Sequence, residues 1–427
     1  MEKADDAAGP LETMRAKSLA HETVAQGQWL VLLAAFLGWM FDGLEMGIFP
    51  LIARPALLDM LHGDKNAVGT WMGYITAFFL VGAACGGLVF GWLGDKMGRI
   101  RAMTFSVLAY SVFTGLGYFA TSPLQLGLLR FLAALGMGGE WSLGVALVME
   151  CWPEKRRPIL AGLIGAASNV GFVLVALVAY QFPIDRASWR QMMLVGLAPA
   201  LLTVLIRLFV PESEKWQESK KKGDSKPLKE VFSGKLLRST LLGILFASIA
   251  LIGTWAAVQW IPSWVDKMAP NLPKAKAVAQ MYSAFGAIIG CMLAPLLGDL
   301  VGRRMGYFLL CLISLVSCGI LFRYFTEYDQ SFLFMITLVG GITAAFYGWL
   351  PLYLPELFPT RVRATGQGVC FNSGRILAAA GALLQGNLVN YFDESYAKAG
   401  AVITLVYLIG MGVVWFAPET KGKPLPE

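Results

Sequence analysis

The sequence predicts an all-α polytopic membrane protein, with twelve transmembrane helices arranged as two six-helix halves. Three observations carry that expectation. Of 427 residues, 56% are hydrophobic and only 15% charged, with a mean hydropathy of +0.60. Soluble domains run at about 45–50% apolar and about 25% charged. Apolar runs long enough to cross a bilayer recur along the whole chain. Short motifs of the first half return in the second.

Bounded by charges and by Pro and Gly clusters, spans 1 to 6 fall near residues 29–53, 68–93, 102–120, 124–150, 158–181 and 190–210. Spans 7 to 12 fall near 238–264, 277–300, 305–323, 331–354, 364–390 and 399–417. The chain thus divides into a polar tail over 1–28, a half over 29–210, a linker over 211–237, a half over 238–417 and a short tail over 418–427. The first tail has no secretory pattern. Twelve spans put both termini on one side.

Charge chooses the side. The loops carrying Lys96–Arg99–Arg101, Lys155–Arg156–Arg157, Arg303–Arg304 and Arg361–Arg363 are short and basic, and the linker "EKWQESKKKGDSKPLKEVFSGKLLR" is more basic still. By the positive-inside rule they face the cytoplasm, with both termini. The net charge of +7 and pI near 9.0 then belong to loops on an anionic leaflet, and no nucleic-acid partner is expected. A plasma membrane location follows, the inner membrane if the source is bacterial.

The repeat has a fixed register. "GDKMGRIR" from Gly94 aligns with "GDLVGRRM" from Gly298, "ECWPEKRRP" from Glu150 with "ELFPTRVRA" from Glu356, and "VPESEKW" from Val210 with "APETKGK" from Ala417. All three offsets lie between 204 and 207 residues. Two repeated halves around a basic linker form a transporter architecture, whose substrate site lies near the midplane between the halves.

"GWLGDKMGRIR", its degenerate copy "GDLVGRRM" and the terminal "PETKG" resemble the major facilitator superfamily over essentially the whole chain. The resemblance implies two six-helix bundles rocking about a central cavity. "RFLAALGMGGEWSLGVALVMECWPEKRRPILAG" and "WRQMMLVGLAPALLTVLIRLFVPESEKW", with acids in span 1, look like the sialate:proton symporter group. That likeness implies sialic acid or monocarboxylate substrates.

Several charges sit where lipid-facing helices would reject them. Asp42 and Glu45 lie three residues apart in span 1, and a charge at that depth costs about 2.5–3.5 kcal/mol on insertion scales. Arg130 lies in span 4, roughly 10 Å from its outer end at 1.5 Å per residue, within reach of those acids. The functional expectation is an acid–arginine pair whose protonation and release follow substrate binding; the alternative is a static ion pair. Glu140, in "GMGGEW", is a further proton-site candidate or a glutamate hydrogen-bonded to a neighbouring helix.

Arg375 lies close to the middle of span 11 with no acid in that span. A guanidinium fork suits a carboxylate substrate; pairing with Asp42, Glu45 or Glu140 is the alternative. Asn169 and Asn372, at equivalent positions of spans 5 and 11, together with Gln259 and Tyr347, are candidates to line the cavity, with Gln385 a weaker one. Trp29, Trp260 and Trp264 near span ends read as interface-belt residues.

At the basic loops, Gly94, Asp95, Gly98 and Arg99 suggest a cytoplasmic gate latch rather than a topology signal alone. Asp299, Arg303, Glu150, Arg157, Glu356 and Arg363 would complete the same network.

Nothing points to catalysis: there is no nucleophile elbow or P-loop. Six cysteines without CxxC spacing and two histidines argue against a metal site or a disulfide framework, and no cofactor is expected. The expected function is secondary active transport, a small organic anion moving with a proton, by a monomer in the lipid bilayer. A sugar or polyol porter is the main alternative; a membrane solute sensor or a drug efflux pump is less favoured.

Overall fold

The computed structural model describes residues 10–97, 99–138, 157–200, 227–234, 236–359, 362–423 and 426. Nine helices among them are long and apolar enough to cross a membrane, and they fall on spans 1, 2, 3, 5, 7, 8, 9, 10 and 12. Span 4 is represented by the apolar helix Pro123–Met137 and span 6 by Trp189–Val195. Span 11 is the 29-residue helix Arg363–Tyr391, less apolar because it carries Gln367, Asn372, Arg375, Gln385 and Asn390. The protein is a multi-pass membrane protein.

Local chemistry starts the helices where the sequence demands it. Ser122 caps span 4 by accepting from the Gln125 N–H, with Pro123 at the first helical position. Asp329 caps span 10 at 2.8 Å from the Phe332 N–H. Span 1 begins earlier than its apolar run, as one helix from Pro10 to Met60 carrying Pro50 and Pro55.

Two spans are broken. Span 7 runs as Leu236–Trp255, a 3-10 turn Val258–Trp260 and a second helix Ile261–Met268 opened by Pro262. Span 10 breaks at Ala345 between Gln330–Ala344 and Phe346–Tyr353, the latter holding Pro351. Proline removes a helical N–H and crowds the preceding turn, and irregular backbone at this depth is tolerated beside a cavity. The break in span 7 turns Trp260 and Trp264 inward. They are buried, against Tyr396 and against Phe322 and Phe332, so the belt expectation fails for both, while Trp29 is exposed.

Helix packing repeats with the sequence. Span 1 packs on 5 as 7 packs on 11, and 2 packs on 4 as 8 packs on 10. Between the halves, 2 packs on 11 as 8 packs on 5. Shifting every span number by six maps each contact onto another, so the two halves are related by an approximate two-fold operation. Small residues permit the closest crossings. A Cβ at Gly43 would lie 1.9 Å from the Ser168 carbonyl oxygen, and one at Gly171 would lie 1.9 Å from that of Met40. Span 1 is thereby pressed against span 5, with Asp42 and Glu45 enclosed.

Candidate functional site

Asp42 and Glu45 are both 0% exposed. Glu45 forms an ion pair with Arg130, whose side chain is 2% exposed. Its Oε1 also accepts from the Thr114 hydroxyl at 3.0 Å. The guanidinium lies 4.6 Å from the centre of the Phe79 ring and 5.2 Å from that of Phe49, a buried cation–π setting. Among the described residues, Glu45 Oε2 and Arg130 Nε have no hydrogen-bond partner.

Arg375 reaches out of span 11 into the other half. Its Nη1 donates to Asn372 Oδ1 at 3.1 Å, to the Ala83 carbonyl of span 2 at 3.3 Å and to the Gly138 carbonyl after span 4 at 3.4 Å. The Phe371 ring centre lies 5.0 Å from its Cζ, and Asp42 is its nearby counter-charge. Arg130 thus pairs with Glu45, and Arg375 lies within the electrostatic reach of Asp42 one turn away on span 1.

Arg375 forms part of the wall of a central cavity of about 100 Å³ between the halves. Trp39, Phe79, Phe172 and Trp255 supply aromatic wall, and Asn169, Gln259 and Tyr347 share it. Asn169 Nδ2 donates to the Gly165 carbonyl at 3.4 Å. Asn372 acts through Arg375, whose Nη1 it receives, and packs against Gly87 of span 2. Gln385 is 1% exposed and faces the carbonyls of Ala256 and Ala399, to which its amide nitrogen donates once the amide is turned toward them.

At the basic end, Arg303 is held through all three of its guanidinium nitrogens. Its Nη1 donates to Asp299 Oδ1 at 2.6 Å, and Nη2 and Nε form a fork on Glu356 at 2.7 and 3.0 Å. Arg363 braces the following turn through the carbonyls of Pro355 and Phe358. Gly302 has φ +92°, and a Cβ there would meet Glu419 Oε2 at 2.9 Å, which accounts for the second glycine of "GDLVGRRM". Gly98, Glu140 and Glu150 lie outside the described residues, as do the side-chain surroundings of Gly94, Asp95, Arg99 and Arg157.

Three features escaped the sequence. Glu419, of "PETKG", caps the span 9 helix: its carboxylate accepts from the N–H groups of Arg303 at 2.9 Å and Arg304 at 3.1 Å. Partial burial pushes its pKa up, but those N–H groups with Lys421 and Thr420 outweigh it and hold Glu419 below the usual carboxylate range. At the opposite end, Asp266 of span 7 takes Lys276 at 2.7 Å and, across the halves, Arg54 of span 1 at 3.3 Å. Asn390 and Thr70 join spans 11 and 2 at the same end, at 2.6 Å. Charges at span ends away from the basic loops were the available signal for this second cluster. The third feature, Gln280 of span 8, lines the cavity and offered no sequence signal beyond being polar in an apolar run.

A family model described as "Major Facilitator Superfamily" matches residues 29–382. The cis,cis-muconate transport protein of Acinetobacter baylyi is 29% identical over 82% of this chain and 85% of its own length. The sialic acid transporter NanX of Escherichia coli is 27% identical over 88% of this chain and 90% of its own. Among solved structures, the proton:xylose symporter XylE bound to 6-bromo-6-deoxy-D-glucose superposes with a TM-score of 0.74. That match has 17% identity and covers 94% of this chain and 98% of that one; it speaks to the fold alone.

Proposed function

Because this chain belongs to the Major Facilitator Superfamily, we propose that it is a proton-coupled symporter for a small organic carboxylate, residues 29–210 rocking against residues 238–417. It is a transporter and not an enzyme. One observation carries the substrate class: Arg375, 5% exposed, sits in the cavity wall with Asp42 as its counter-charge. A guanidinium fork binds a carboxylate by two parallel hydrogen bonds.

Charge balance supplies the coupling. With Asp42 ionised and Arg375 cationic, the empty pair is neutral. An incoming carboxylate adds a negative charge to a desolvated site, and uncompensated buried charge is strongly disfavoured. Balance returns when Asp42 takes up a proton, so anion and proton each promote binding of the other, as linkage requires. Glu45 and Arg130 stand beside this site as a second pair able to follow the same step.

Size favours a small acid. An apolar cavity of about 150 Å³ takes one benzene, and the cavity here is about 100 Å³. Sialic acid would have to widen it considerably, whereas a short-chain or single-ring acid fits with side-chain adjustment. The cis,cis-muconate carrier among the relatives handles an acid of such modest size. The basic end is assigned to the cytoplasm and Arg54–Asp266 to the outer closure.

Uptake into proteoliposomes tests the reading, with labelled propionate, lactate, benzoate and sialate. An inward proton gradient is expected to drive accumulation of one of the smaller acids, and a protonophore to abolish it. Uphill accumulation that ignores the protonophore contradicts proton coupling. The cavity amides of Asn169 and Gln259 favour the sugar or polyol alternative, which Arg375→Ala separates. Neutral-solute uptake surviving that substitution would select the alternative.

A further inference from the structure

Gln280 belongs to the second half, in the early turns of the helix Ala275–Val301, is 5% exposed and lines the central cavity. Its Nε2 crosses to the first half and donates to two backbone carbonyls, Gly47 of span 1 at 3.2 Å and Phe172 of span 5 at 3.4 Å. Gly47 leaves that approach open; a Cβ there would stand 3.1 Å from Nε2 and 2.7 Å from Val175 Cγ1. Both amide hydrogens are therefore committed, which fixes which end of the amide is nitrogen and which is oxygen. The oxygen, Oε1, is buried and has no hydrogen-bond partner among the described residues.

A buried acceptor left unmatched is costly, and native interiors rarely keep one without a use for it. Here it belongs to a residue of the cavity wall whose donor side is already anchored. Ser, Thr or a rotating hydroxyl could turn to suit several ligands; an amide pinned by two carbonyls can only accept. We infer that Gln280 is a specificity-determining residue of the transport site: its Oε1, enclosed by protein atoms in this conformation, is reached as the substrate widens the cavity and accepts a hydrogen bond from the substrate's hydroxyl or N–H group. The inference rests on the carboxylate reading for the other end of that substrate, which Arg375 holds. The substrate class narrows to carboxylates carrying a second, donor-bearing group.

The same side chain links recognition to closure. Gly47 lies between Glu45 and Arg54 on span 1, so an occupied Gln280 is held against the helix that also carries the Arg54–Asp266 contact. A ligand that seats on Oε1 steadies the amide and with it this crossing between the halves.

The test uses the full chain in detergent and two matched pairs, lactate against propionate and 4-hydroxybenzoate against benzoate. Affinity is read by thermal stabilisation and by quenching of tryptophan fluorescence, Trp39 and Trp255 being in the wall. The wild type is expected to bind the hydroxylated member of at least one pair about tenfold more tightly, the scale of one well-made hydrogen bond. In Gln280→Met that ratio should fall to near one, and in Gln280→Asn, which keeps an amide but shortens its reach, it should also fall. A wild type without preference, or a ratio that persists in both variants, overturns the inference, including the case where both members weaken equally. Should the wild type bind no acid but bind D-glucose, the carboxylate reading fails by itself. The ratio for D-glucose against 6-deoxy-D-glucose then decides on Gln280 in the same way. No binding of any of the six probes contradicts both.

Discussion

Glu45 and Glu419 are both carboxylates set against arginine, one in the membrane interior and one at the basic end. Glu419 receives four backbone N–H groups, from Arg303, Arg304, Thr420 and Lys421. The neighbouring Arg303 is shared between Asp299 and Glu356. Glu45 has one arginine and one hydroxyl, with Oε2 and Arg130 Nε unmatched among the described residues. The first cluster is saturated and lies at the basic end, the second is sparse and buried. A saturated network has little reason to change state, whereas a sparse buried one is held only by its opposite charges. The basic-end cluster fixes a helix start, and the interior cluster is the one we propose to change state.

Breaking each cluster should show the contrast. Arg130→Ala leaves Glu45 buried without its cation, and losing one partner of a buried pair costs about 3–5 kcal/mol. Unfolding of the purified protein in detergent should register that loss as a large drop in midpoint or as failure to yield monodisperse protein. The double change Arg130→Met with Glu45→Leu should recover most of the stability while transport stays lost. If the double variant is no more stable than Arg130→Ala, charge is not what the interior cluster is about.

Glu419→Ala should cost less, about 1 kcal/mol, the usual worth of a helix cap, because these N–H groups lie only partly buried at the basic end, where water can reach them. Its pH dependence has a definite sign. Glu419 is held below the ordinary carboxylate pKa of about 4.3. Its stabilisation is thus complete above that value and is lost as pH falls through the folded-state pKa. The stability gap between wild type and Glu419→Ala, followed by thermal unfolding, should be constant near neutrality and close in acid. A gap that widens on acidification would contradict the cap.

The same contrast explains what the sequence could convey. Hydropathy reveals spans because burial in lipid needs some twenty apolar residues whatever the neighbours are. The repeat at Gly94 and Gly298 reveals the halves, and the packing of span 2 on 11 and of 8 on 5 follows it. Asp42, Glu45, Arg130 and Arg375 stand out because charges are rare in such helices. Partnership is a different matter. That Arg375 would meet carbonyls of Ala83 and Gly138, or Gln280 those of Gly47 and Phe172, depends on how helices cross, and the crossing is set by contacts such as Gly43 on Ser168. Glu419 was visible only as part of a motif, since the helix start it caps, at Arg303 and Arg304, lies more than a hundred residues away. Trp260 and Trp264 misled for a related reason: a break in span 7 decides which way they face.

Asp42 is proposed to take the proton that accompanies a carboxylate onto Arg375, and a comparison of two transport modes tests that role directly. Wild-type and Asp42→Asn proteins are reconstituted in liposomes and compared in two modes, counterflow exchange of a labelled acid and uphill uptake under an inward proton gradient. The asparagine cannot ionise, so Asp42→Asn is expected to keep exchange while losing gradient-driven accumulation. Full concentrative uptake by Asp42→Asn would contradict the account and remove Asp42 from the coupling step.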